Sequence, residues 1–378
     1  MTATRTPLSR HDLASLARAA LGPTRILTAV TRLRGGSKKG VYRLTFDDDS
    51  TAIAYVWSPD EDFWPTEPTE PTEPTGQTDP TDPTDPTDPT EQTASPAPTG
   101  QTGPVDPSGP AEHHRDPFSH ASGIDLFTAS YERLAALGIR TPRLFLADRT
   151  REHLPADTAV VEDVCGGSLE ELLRRDPRAA AKPLRELAEA LHTMSGHRAP
   201  RYGKVALVDN GGVSYGSSCE EVVRDRVLID LAEAAARDAR IAAVGAALQD
   251  RIHELTAAIH PRTQHTLIHG ELGPDHVLVD ADGHPALIDI EGLMYFDAEW
   301  EHVFLRLRFQ DHYEALRADG LDEDRLRLYR LAMHLSLVAG PLRLLDGDFP
   351  EPGLMRGIAE HSIQQTLILL EDKDPRVP

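Results

Sequence analysis

The chain has 378 residues, a formal charge of −22 at neutral pH and 39% apolar side chains, enough to bury a sizeable core and too acidic for a general nucleic-acid binder. Part of the acidity is local: residues 65–112 hold ten carboxylates and no basic or aromatic side chain, and the rest of the chain carries −12. Cys165 and Cys219 are too few for a disulfide framework and lack metal-type spacing, so they read as small buried or half-buried hydrophobes.

The opening segment MTATRTPLSRHDLASLARAALGP has no continuous apolar run. It reads as neither a signal peptide nor a membrane anchor, and a cytoplasmic protein is the expectation. Ser9 as N-cap, Asp12 three residues on, and Leu13, Leu16, Ala17 and Ala20 along one face predict a capped helix. Residues 24–57 read as a hairpin, TRILTAVTRL and VYRLTF around RGGSKKG, followed by a third strand TAIAYVW after the turn DDDS. The Pro-Thr-Glu/Asp repeats that follow favour extended polyproline II and offer nothing for a core, which predicts an exposed, largely disordered insertion acting as a spacer. His113, His114 and His120 at its exit read as solvated.

A helix ending at Gly138 comes next, then a strand after Pro142 and a buried strand, TAVVEDVCGG, running into a connector. Ser168 with Glu171 caps the helix SLEELLRR. Residues 180–260 have helical periodicity, 264–290 return to short strands and loops, and 298–372 are helical again.

Two stretches carry chemistry. In GGSKKG, residues Gly35, Gly36, Ser37, Lys38, Lys39 and Gly40, the glycines allow close backbone approach and N–H groups that face phosphate. In LIHGELGPDHVLVDADGHPALIDIEG, a hairpin turned at DADGH brings Glu271, His276 and Asp289 to one edge, a combination suited to metal binding or proton transfer.

His269-Gly270-Glu271-x4-His276, Ile288-Asp289-Ile290-Glu291 and Phe296-Asp297-Ala298-Glu299-Trp300-Glu301, together with GGSKKGVYRL, VVEDVCGGSLEELL and HRAPRYGKV, resemble the aminoglycoside phosphotransferase-like branch of the protein-kinase fold. The likeness covers nearly the whole chain outside the Pro-rich insert. It implies an α+β, two-lobed protein-kinase-like fold. Residues 1–160 would form a small antiparallel β N-lobe that contains the insert at about 65–112, and 161–378 a mostly helical C-lobe with the catalytic and metal loops.

The resemblance further implies ATP, with Mg²⁺ or Mn²⁺, and a hydroxylated small molecule as acceptor, with no nucleic-acid or membrane partner. Glu271 would orient the acceptor hydroxyl, with His269 supporting the loop. Asp289 would hold the metal, joined by His276 and Glu291, and Glu162 to Val164 would meet adenine. Asp297 would tie the metal loop to the next helix. The chain departs from the pattern at four positions: Glu271 for Asp, His276 for Asn, Tyr55 for the third-strand Lys, and Ala129 for its partner Glu. Lys38 or Lys39 would then supply the missing cation. Asp225, Asp230, Glu233 and Glu301 would suit a cationic acceptor such as an aminoglycoside; a peptide Ser/Thr hydroxyl is an alternative. A nucleotide-binding pseudokinase without turnover is the rival from another class.

Overall fold

The structure is a computed structural model that describes residues 7–33, 38–63, 115–119, 122–347 and 349–371. The repeat tract, His113, His114, His120 and Gly35 to Ser37 lie outside the described residues.

Ser9 caps α1 (Arg10–Leu21), its side chain accepting from the Asp12 amide while the Asp12 carboxylate accepts from Ser9 N–H at 2.7 Å. This reciprocal cap satisfies amides that a helix start leaves unpaired. The apolar face, Leu13, Leu16 and Ala17, is buried on one side of a five-stranded antiparallel sheet. Its strands are β1 (Leu27–Arg32), β2 (Gly40–Phe46), β3 (Thr51–Trp57), β4 (Leu144–Asp148) and β5 (Asp157–Glu162), in the order β1-β2-β3-β5-β4. The central strand β3 is buried on both faces: Ala52, Ala54 and Val56 pack with α1, and Ile53 and Tyr55 pack with α2 (Ile124–Ala136), where Phe127 meets Tyr55 edge-on at 5.6 Å. That is why TAIAYVW lacks a polar alternation.

From β5 the connector passes through Gly166 and Gly167 to α3 (Leu169–Arg175), capped by Ser168, which accepts from the Glu171 amide. A Cβ on Gly166 would stand 1.9 Å from the Val279 carbonyl oxygen. The connector backbone therefore rests directly on the hairpin β9 (Val277–Val279) and β10 (Pro285–Leu287).

The remaining chain is mainly helical: α4 (Ala181–Gly196), α5 (Val205–Val208), α6 (Cys219–Arg237), α7 (Ala239–Ala257), α8 (Ala298–Phe309), α9 (Glu323–Leu344) and α10 (Pro352–Glu371). The helical reading of 180–260 is interrupted. Residues 198–204 supply β6 (Arg198–Ala199) and β7 (Gly203–Lys204), which join β8 (His265–Ile268) and β11 (Met294–Phe296) in a sheet ordered β6-β8-β11-β7. Pro200 cannot continue a helix, and Gly203 adopts φ +129°, a conformation closed to other residues. Among the described residues no helix is long and apolar enough to cross a membrane.

Candidate active site

β8 leads into the loop His269–His276, and the β9–β10 hairpin returns the chain to Asp289. Glu271, His276 and Asp289 thereby meet at one edge, as the hairpin spacing predicts. Asp289 sits in the left-handed region, φ 58° and ψ 44°, and starts a single 3-10 turn, Ile290–Gly292. A non-glycine residue held there stores backbone strain.

His269 is 1% exposed, and its Nε2 donates to the Ile288 carbonyl at 3.0 Å. Burial lowers its pKa to about 4, so the imidazole is neutral. It fixes the carbonyl immediately before Asp289 and is a positioning residue, out of contact with solvent. His276 Nδ1 donates to the Glu271 carbonyl at 2.8 Å, which leaves Nε2 facing Asp289 Oδ2 and Asp275 Oδ2, each at 3.8 Å. One imidazole thus braces the loop through Nδ1 and presents its second ring nitrogen to Asp289.

Lys39 brings an ammonium to this edge. Its ammonium, on a residue 7% exposed, donates to Asp289 Oδ1 at 2.9 Å and to Glu291 Oε1, and lies 4.9 Å from the centre of the Tyr55 ring. Burial acts to discharge the ammonium, but the Glu291 and Asp289 carboxylates more than reverse this and keep it protonated. Lys39 in turn holds Asp289 well below the usual carboxylate range, while burial pushes Glu291 up. Tyr55, its phenol pushed by burial to about 12, gives the ammonium an aromatic face. Of the two lysines weighed from sequence, Lys39 makes these contacts; the Lys38 carbonyl accepts from Ser122 Oγ at 3.2 Å. Gly40 is required by packing, because a Cβ there would stand 2.7 Å from Glu61 Cδ and from the Tyr42 ring.

Glu301, on α8, accepts the His269 and Gly270 amides at 2.5 and 2.9 Å and so caps the loop. Burial pushes its carboxyl up to about 7. Because this folded-state value exceeds the ordinary one, the stability it contributes is full below about pH 4.5 and is lost as pH rises through 7. Glu301→Gln is expected to flatten the fall in urea-unfolding stability between pH 5 and 7; an unchanged slope would assign that dependence to another group.

The acids considered for a cationic acceptor are engaged elsewhere. Asp225 pairs with Arg224 at 2.8 Å, Asp230 with Arg226 at 3.2 Å, and Glu233 with Arg343 at 2.7 Å, while Glu301 caps the loop. Asp297 accepts from Tyr329 OH at 2.5 Å and from the fully buried Arg325, tying α8 to α9. Glu162 meets Arg140 at 3.1 Å, and Val164 is buried in the connector. Two residues escaped the sequence reading: Asp275, held by Arg308 at 2.8 Å beside His276, and the buried Lys204. Asp275 was signalled by its place in the GPDH turn, and Lys204 by its place in HRAPRYGKV, though nothing in that stretch marks it as buried.

The model of the phosphotransferase enzyme family matches residues 112–334. No curated protein matches in sequence. Among solved structures, a spectinomycin phosphotransferase, APH(9)-Ia, in complex with ADP and spectinomycin superposes with TM-score 0.57 at 11% identity, covering 97% of this chain and 98% of that one. Choline kinase LicA from Streptococcus pneumoniae gives 0.53 at 11%, with 96% and 98% covered. A thermostable mutant of aminoglycoside phosphotransferase APH(4)-Ia, apo form, gives 0.52 at 14%, with 90% and 95% covered. At these identities the likeness concerns the fold, a kinase-like one.

Proposed function

Because the chain belongs to the phosphotransferase enzyme family, we propose that it transfers the γ-phosphoryl group of ATP to a hydroxyl of a small molecule. The observation that carries this reading is the Lys39 ammonium, brought 250 residues along the chain to Asp289 by the fold. Positions 55 and 129 lack the Lys and Glu of the family pattern, and Lys39 with Glu291 supplies a cation–carboxylate pair in their place. In phosphoryl transfer such a cation holds phosphate oxygens, while a carboxylate orients the attacking hydroxyl. Glu271, exposed at the loop tip, takes the second task. The spectinomycin phosphotransferase was crystallised with ADP and its small-molecule acceptor, which supports the same pairing of ligands here.

The donors fit a divalent cation: Asp289 Oδ2 and His276 Nε2 face each other at 3.8 Å, with Asp275 Oδ2 alongside. When bound, such an ion neutralises charge on the transferring phosphate. Asp289 and His276 would hold it, and Glu291, engaged by Lys39, would set the ammonium beside it. An imidazole in this set favours Mn²⁺ over Mg²⁺ relative to an amide oxygen. His276→Asn is expected to lower the Mn²⁺ to Mg²⁺ affinity ratio by roughly 10-fold, read by electron paramagnetic resonance of free Mn²⁺ under Mg²⁺ competition; an unchanged ratio places His276 outside the metal shell.

The function is tested by ATP consumption with Mg²⁺ or Mn²⁺ against a hydroxylated metabolite panel. Turnover above a Glu271→Ala background is expected. ATP-induced thermal stabilisation with no turnover for any acceptor would indicate a nucleotide-binding module instead.

A further inference from the structure

The sequence uses 34 arginines and only five lysines, and three of those five, Lys38, Lys39 and Lys204, gather around the candidate site. An ammonium is a compact point charge, suited to a single anionic oxygen where a guanidinium fork is too broad. Lys39 is accounted for by Asp289 and Glu291. Lys204 is not accounted for.

Lys204 ends β7, paired with Met294 of β11, which pairs in turn with Ile268 immediately before the Glu271 loop. It is 1% exposed. Its Nζ donates to the Ser119 carbonyl at 2.8 Å and to Ser119 Oγ at 2.5 Å, and among the described residues no carboxylate lies within 4 Å of it. The charges acting on it are Asp116, Lys38 and Glu271, and burial lowers its pKa to about 8. A buried cation with only neutral oxygens around it is costly.

Those neutral oxygens belong to a strap. Residues 115–119 are pinned to the helical part by Tyr215 N–H donating to the Arg115 carbonyl at 2.8 Å, by Arg115 over the Tyr215 ring at 4.3 Å, and by Phe118 against Trp300 at 4.8 Å. A few residues on, Ser122 Oγ reaches the Lys38 carbonyl. Ser119 thus meets Lys204, and Ser122 the backbone of Lys38.

We propose that Lys204 recognises an anionic group, phosphate or carboxylate, on the acceptor, and that the Ser119 oxygens occupy that position until the acceptor arrives. The acceptor is then a hydroxylated acid or phosphorylated metabolite, and not a polycation. The proposal rests on the phosphotransferase reading for its kinetics, but not for its binding arm. Asp230 and Glu233, two of the acids that would suit a cationic acceptor, are instead held by Arg226 and Arg343.

The test uses the full chain and a panel in which each carbon skeleton appears in neutral, amino, carboxylate and phosphate forms. Thermal stabilisation and ATP-dependent transfer are measured for wild type, Lys204→Met, Lys204→Arg and Ser119→Ala, with Glu271→Ala as the transfer background. Methionine keeps the length of Lys204 without its charge. Expected are stabilisation and turnover by an anionic form, and a KM for it raised about 10- to 100-fold in Lys204→Met, the loss of one charge-assisted hydrogen bond. The ATP KM should be unchanged, Lys204→Arg should recover part of the effect, and Ser119→Ala should lower the acceptor KM. Preference for neutral or amino forms, stabilisation by no anionic form or one that persists in Lys204→Met, or a parallel rise in ATP KM each overturns the proposal. If no form is phosphorylated, the phosphotransferase reading falls, and anion-induced stabilisation that vanishes in Lys204→Met still decides the role of Lys204.

Discussion

Glu271→Ala is expected to lower kcat by about 100- to 10,000-fold, the range for removing a positioned proton acceptor, while ATP affinity stays within a few-fold. The side chain is exposed at the loop tip, and its backbone carbonyl, rather than its carboxylate, braces His276. Truncation should therefore leave the loop standing, since His269 and Glu301 hold it from below. Glu271→Asp is the sharper probe. Withdrawing the oxygens by on the order of 1 Å costs roughly 100-fold if the site is built around Glu, even though Asp is the family residue. Equal rates for Glu271→Ala and wild type, with any accepted substrate, would remove Glu271 from the chemistry.

Lys39→Met is expected to abolish ATP-induced stabilisation and also to destabilise the free protein. Glu291 is 3% exposed, its Oε1 accepts from Lys39, and its Oε2 has no partner among the described residues. Removing the ammonium strands this carboxylate, and breaking a buried pair from one side costs about 3–5 kcal/mol. The deficit has a pH signature. Burial already raises the Glu291 pKa, and loss of Lys39 raises it further, so the protonated form carries the stability and it is lost as pH rises. Urea unfolding should show a small deficit near pH 5 that widens toward pH 8. Adding Glu291→Gln should recover most of the stability without restoring ATP binding. A deficit independent of pH, or unrelieved by Glu291→Gln, would make Asp289 the partner that matters.

Much of this arrangement was readable from local pattern. The Ser9 and Ser168 caps, the β9–β10 hairpin and the convergence of 271, 276 and 289 follow from signals a few residues apart. The Lys39–Glu291 pair joins residues 252 positions apart, and only the missing Lys and Glu at 55 and 129 pointed to it. Glu233 was illegible because an acidic helix face looks the same whether it meets solvent, a ligand or an arginine from a distant helix, here Arg343, whereas Asp225 and Asp230 pair with Arg224 and Arg226 of their own helix, a local pairing that the sequence carries. The surroundings of Lys204 were illegible because they depend on Ser119, 85 residues away, which follows a repeat tract with no apolar pattern to place it.

Positions 39, 55, 129 and 291 also constrain how this site can change by mutation. Tyr55→Lys alone would set a second ammonium close to Lys39, whose Nζ lies 4.9 Å from the present ring centre, and it would find Ala129 where the family pattern has a Glu. Ala129→Glu alone would add a carboxylate to a half-buried surface packed on the apolar core, with no cation to meet it. Either step taken alone leaves a charge without its partner, so moving the cation from position 39 to position 55 takes more than one substitution. Lineages carrying this quartet should vary around it and keep all four residues together.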